Sequence, residues 1–164
     1  MQEIQDKYYD LGGIVLLLQD KAQKKISDGK FWTAFKQSYQ DIDNVHPLMK
    51  DKVAQQILEY HYDMASYSMN TSEYTEFEKL VMDNEEIVVY RGTLGDHEHG
   101  FSWTLDKKRA FWFANRFASV NKDKSPVVYQ GRLNVANFQA YWELEQEVFV
   151  PPKYVMGKKV LTSW

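Results

Sequence analysis

The sequence predicts an α+β protein in which a helical lobe, residues 1–84, precedes a β-rich core, residues 85–164, within one compact domain. Three observations carry that reading. Apolar residues recur at helical spacing before about Asn84, and β-branched and aromatic residues cluster in short runs after it. The strands follow the helices as a block instead of alternating with them, which favours α+β over a doubly wound sheet.

In the first half, Val53, Ile57, Tyr60 and Met64 fall on one helical face, with His46-Pro47 as the entry. Thr71-Ser72 offers a cap before Glu73, followed by the apolar residues Phe77, Leu80 and Val81. Gly12-Gly13 and Ser27-Asp28-Gly29 read as breaks, leaving helices over 14–26 and 31–41. In the second half, Ile87 to Tyr90, Val127 to Tyr129, Arg132 to Val135 and Glu147 to Val150 read as strands, the last stopped by Pro151-Pro152. Val155 to Thr162 is a further hairpin or edge strand around Gly157. Between the first strands Asp106 caps a helix whose Ala110, Phe113, Ala114 and Phe117 form a buried stripe.

Composition narrows the chemistry. The 164 residues, 44% hydrophobic and 15% aromatic, can bury a sizeable core. No cysteine occurs, which excludes disulfides, thiolate catalysis and cysteine-based zinc sites and fits a cytoplasmic protein. The apolar run Ile14 to Leu18 is too short to span a bilayer, so no membrane partner is expected. Residues 1–84 carry 9 basic and 14 acidic side chains, and residues 85–164 carry 11 and 9. From 107 to 132, Lys107, Lys108, Arg109, Arg116, Lys122, Lys124 and Arg132 meet only Asp123. Two readings stand for that stretch, a phosphate-attracting surface and a solvated helix face.

Three segments carry the candidate chemistry. Arg91 ends the first strand just before Gly92, and a planar guanidinium beside a glycine suits a diphosphate. In Ser102-Trp103-Thr104, an extended backbone puts two hydroxyls on one face and the indole on the other. Those hydroxyls either line a site or satisfy the turn before the helix. In ELEQEVFV, alternate positions place Glu143, Glu145 and Glu147 on one face of an extended segment. That face either meets water or receives a cation.

In order and type, Arg91, Ser102-Trp103-Thr104 and Glu145-Gln146-Glu147 resemble the R-S-E class of mono-ADP-ribosyltransferases, over about residues 86–155. The central Trp103 departs from that class's commoner Ser-Thr-Ser. The resemblance implies a mixed, split β-sheet core of ADP-ribosyltransferase type and NAD as co-substrate, with no metal. It implies that Arg91 and Gly92 hold the NAD phosphates and ribose, and that Ser102, with Thr104, orders the nicotinamide ribose and the catalytic glutamate. Glu147 would stabilise the oxocarbenium-like state and Glu145 would orient or deprotonate a nucleophile, which points to a protein arginine as acceptor. Phe113 is the candidate to pack on nicotinamide, although its place in the apolar stripe favours the core. Tyr141 and Trp142 lie where the class keeps a substrate-recognition loop, and exposed aromatics there suit a protein partner.

Other functions compete. A catalytically silent domain of the same fold could bind NAD or a partner, and the basic stretch with its aromatics could serve a nucleic acid as acceptor. His97-Glu98-His99 lacks a third ligand at recognisable spacing, so no metal site is expected there.

Overall fold

Ile14, Leu17 and Leu18 are all buried, and the helix that carries them, α1, runs from Leu11 to Ala22. The computed structural model describes residues 11–40, 51–95 and 100–161. Gly12 and Gly13, expected to break the chain, lie inside the first turn of α1, because burial of the stripe behind them outweighs their poor helix propensity. Lys24, with a positive φ of 57°, ends the segment before the expected Ile26. Helix α2, Asp28–Gln40, likewise begins at the expected break: the Ser27 carbonyl accepts from the Phe31 N–H at 2.9 Å, the first intrahelical bond.

Helix α3, Lys52–Tyr60, is capped by Asp51, whose carboxylate accepts from the Val53 and Ala54 amides. Its predicted face is wrong. Val53 is 64% exposed and Tyr60 81% exposed, while Ala54 and Leu58 are buried. The inward line continues through Tyr62 and Ala65 in a 3-10 segment, Tyr62–Ser68, so Met64 never joins the face of α3. The expected entry at His46-Pro47 lies outside the described residues. Phe31, Trp32, Phe35 and Tyr39 of α2 form the aromatic centre here, with ring centroids 5.1–5.8 Å apart.

The chain divides into two compact units between Asn70 and Thr71. Helix α4, Thr71–Asp83, therefore groups with the sheet and not with the preceding helices, as a boundary at residue 84 would have had it. The physical reason is its contact with the segments before the last strands: the Phe77 ring lies 4.8 Å from that of Phe138.

The second unit is built on strands β1 (Glu86–Leu94), β2 (Ser102–Thr104), β3 (Pro126–Asn134), β4 (Tyr141–Trp142), β5 (Glu147–Phe149) and β6 (Val155–Leu161), with helix α5 (Lys107–Asn115) after β2. They form one sheet of order β4-β5-β2-β1-β3-β6, and every described pairing is antiparallel, so the expectation of a mixed sheet fails. The predicted strands at 127–129 and 132–135 merge into β3, which pairs with β1 from Glu86↔Asn134 to Leu94↔Pro126. The sheet is continuous where a split was expected, but its centre is narrow: β1 and β2 meet at the single pair Tyr90↔Thr104.

Asp106 caps α5 as predicted, accepting from the Lys108 and Arg109 amides. The buried stripe is Ala110, Phe111 and Ala114, not Phe113 and Phe117, because the helix ends at Asn115 and the face is turned by the close approach of its backbone to β1. A Cβ on Gly92 would sit 1.6 Å from the Ala110 carbonyl oxygen. Among the described residues no helix is long and apolar enough to cross a membrane.

Candidate functional site

Around the narrow centre of the sheet, polar groups replace the missing backbone pairing. Arg91 lies in mid-strand, since β1 continues through Gly92 to Leu94. Its Nη1 donates to the Ser102 carbonyl at 2.8 Å, so a guanidinium bridges the two strands beyond their one paired rung. A planar, permanently charged donor is well suited to such a bridge. Gly100 makes room for it: a Cβ there would lie 2.0 Å from the Arg91 Cζ.

Ser102 is the hub. While its carbonyl accepts from Arg91, its hydroxyl donates to Glu147 Oε1 at 2.6 Å. In the antiparallel pairing of β2 with β5, Ser102 faces Phe149 and Glu147 faces Thr104, so Ser102 and Glu147 are diagonal neighbours on one face. Glu147 is only 7% exposed. A carboxylate that deep is costly unless hydrogen-bonded, and the short bond from a hydroxyl offsets part of that cost. The structure thus links Arg91 and Glu147 through two atoms of Ser102, its carbonyl and its hydroxyl; the Tyr90↔Thr104 and Thr104↔Glu147 pairs set Ser102, Thr104 and Glu147 on one face, with Arg91 at the alternate position of β1.

The two hydroxyls of Ser102-Trp103-Thr104 have different employment. Thr104 is buried, donates to the Glu145 carbonyl at 3.0 Å and accepts from the Asp106 amide at 3.1 Å. It splices the acidic turn to the entry of α5, which is the turn-satisfying alternative; the placement gives no ligand-facing role to its hydroxyl. Trp103 anchors β2 as expected, buried with its indole N–H donating to the Gly100 carbonyl.

Glu143, Glu145 and Glu147 do not share a strand face. Residues Glu143–Glu145 form a 3-10 turn, and Gln146 takes a left-handed conformation, φ 48° and ψ 42°, before β5 begins at Glu147. The alternation that would have lined up three like charges is broken by this turn and by Gln146. Glu145 is half-buried on the turn. Glu143 is held from α4: its amide donates to Glu73 at 2.8 Å, and its carboxylate accepts from the Ser72 hydroxyl at 2.9 Å. Glu73, at 1% exposure, is the residue that sequence reasoning missed. It stood in the first turn of a helix, where an acid is ordinarily read as a capping or dipole residue, and nothing local signals a partner 70 positions away.

Three further expectations are corrected. Gly92 meets the backbone of α5, so the close approach that its missing side chain permits is that of a helix. Tyr141 and Trp142 are buried instead of exposed, because β4 pairs with β5 and the Trp142 ring stacks on Phe149 at 5.0 Å. Burial, and then the nearby carboxylates of Glu76, Glu143 and Glu73, push the Tyr141 phenol above its ordinary value, so it stays a neutral donor at neutral pH. Phe113 is half-buried, with the Arg116 guanidinium 5.0 Å from its ring centroid, and belongs neither to the core stripe nor wholly to solvent.

No group of three or more His, Cys, Asp or Glu side chains suited to a metal ion occurs among the described residues. His97, Glu98 and His99 lie outside them. No protein-family model, no curated protein and no solved structure matches the chain.

Proposed function

We propose that the sheet unit is the catalytic core of an NAD-dependent mono-ADP-ribosyltransferase that modifies a protein side chain, with arginine as the favoured acceptor. The observation that carries the reading is the Arg91–Ser102–Glu147 connection: one residue, Ser102, accepts from the guanidinium through its carbonyl and donates to the carboxylate through its hydroxyl. A cation suited to a pyrophosphate and a carboxylate suited to a ribose are thereby both tied to one residue.

The chemistry that such a set supports is cleavage of the bond between nicotinamide and ribose C1′. The bonding pair leaves with the nicotinamide nitrogen, and positive charge develops across C1′ and the ring oxygen. Glu147 would oppose that charge and accept a hydrogen bond from the ribose 2′-hydroxyl, at its most effective because it is little solvated. Ser102 would hold the carboxylate in one orientation, and Arg91 would balance the phosphates. Glu145, on the turn two residues before, would take the proton from the acceptor as its nitrogen bonds to C1′. Gly92, Thr104, Tyr141 and Trp142 have no contact role in this scheme; they shape the elements on which it rests.

Glu147→Gln is the decisive variant, since it removes the charge and retains an oxygen to accept from Ser102. Nicotinamide release should fall by about 100-fold or more, with NAD binding and the thermal midpoint retained. A wild-type chain that neither binds nor cleaves NAD, or a variant as active as the parent, overturns the proposal. Binding without cleavage by the wild type would make the unit a catalytically silent relative.

A further inference from the structure

Helix α5 turns Ala110, Phe111 and Ala114 to the sheet, so Lys108, Trp112 and Asn115, at i, i+4 and i+7, face solvent. Trp112 is 56% exposed. Phe117 and Val120 follow it onto the surface of the turns that lead to Lys124. The Arg116 guanidinium sits among the rings, 5.6 Å from the centroid of Trp112, 5.0 Å from Phe113 and 4.7 Å from Phe117. Cation and rings therefore form one ordered unit on the surface.

The charge along this stretch of chain is one-sided. Between Asp106 and Lys124 the chain has six basic residues and two acids, in a protein whose net charge is −3. One of the two acids, Asp106, is spent on the amides that open α5. Asp123 is the other acid of that stretch, among Lys107, Lys108, Arg109, Arg116, Lys122 and Lys124.

We propose that this face binds single-stranded nucleic acid, with a base stacked on Trp112 and backbone phosphates on Lys108, Lys122 and Lys124. An exposed π face beside a track of cations is what sequence-tolerant binding of an unpaired strand requires. A duplex hides its base faces and could use only the charges. An anionic bilayer is the poorer fit, because an interfacial helix must have its apolar face available and that of α5 is consumed by the sheet. The inference is independent of the proposed NAD chemistry, and its test contains no NAD.

A fluorescein-labelled oligothymidylate, titrated with the full chain and followed by anisotropy, provides the test. Binding should weaken steadily as salt rises. Trp112→Ala, at an exposed position, should weaken it about tenfold or more through loss of stacking. Lys122→Glu with Lys124→Glu should lower affinity and flatten the salt dependence. The proposal is overturned if the oligonucleotide does not bind at low salt, if Trp112→Ala binds as tightly as the parent, or if a duplex of the same length competes equally. Preference for phosphatidylserine vesicles over the oligonucleotide would overturn it as well.

Discussion

The two units bury their polar and aromatic side chains in different ways. In the helical unit, large rings pack on one another along α2, and a buried cation is paired close by: Lys21 at the end of α1 meets Asp28 at the start of α2 at 2.5 Å. In the sheet unit, hydrogen bonds to buried or half-buried groups join segments remote in sequence, 45 residues apart for Ser102 and Glu147, 41 for Thr104 and Glu145, and 70 for Glu73 and Glu143. Aromatic packing secures its own neighbourhood and tolerates small shifts. A lattice of long-range hydrogen bonds fixes where distant side chains stand, which is what a reacting site needs.

That contrast can be broken from the helical side first. Trp32 is fully buried, packs against Phe31 and Phe35, and donates its indole N–H to the His61 carbonyl at 3.1 Å. Trp32→Ala should cost about 3–5 kcal/mol of stability, read by denaturant unfolding. Nicotinamide release per folded molecule should be unchanged, the inverse of the result expected for Glu147→Gln. Lost turnover in a variant that remains folded would place the helical unit in the chemistry and end the contrast.

Gly92→Ala probes the sheet unit more gently. The new methyl has no room against the Ala110 carbonyl, so α5 must shift outward, at about 1–3 kcal/mol for an overpacked site. Because α5 follows β2 after two residues, the shift should also disturb Ser102 and lower turnover. Stability and activity should therefore fall together, unlike in Trp32→Ala. If unfolding of Gly92→Ala matches the parent, helix and strand are not in the contact described.

The parts legible in the sequence were those decided locally or by order along the chain. Asp106 announces its helix because a capping carboxylate acts within three residues. Arg91, Ser102 and Glu147 could be chosen because each sits in a strand with recognisable neighbours. What escaped was decided across space. Alternation predicted a common face for three glutamates, but a left-handed Gln146 is adopted by few non-glycine residues and leaves no mark in the sequence. Tyr141 and Trp142 looked like loop aromatics until β4 paired with β5 and buried them. On α3 the stripe was drawn through Val53, Ile57 and Tyr60, and Ala54 and Leu58, which mark the packed face, were passed over.

The smallest effect sharpens the contrast from the helical unit, at His61. Its Nδ1 lies 3.8 Å from Asp28 Oδ1, yet its pKa is held below the ordinary 6.5, first by burial and then by Lys21, with Asp28 and Asp63 pulling the other way. A histidine whose pKa is lowered on folding binds fewer protons in the folded than in the unfolded chain. Stability from this source is whole above pH 6.5 and is lost as pH falls through that value toward the depressed one. Acidification from neutral pH to about pH 5 should lower the thermal midpoint of the wild type more than that of His61→Gln, by a small margin because the ring is partly solvated. Equal losses in the two proteins would mean that His61 is not desolvated on folding.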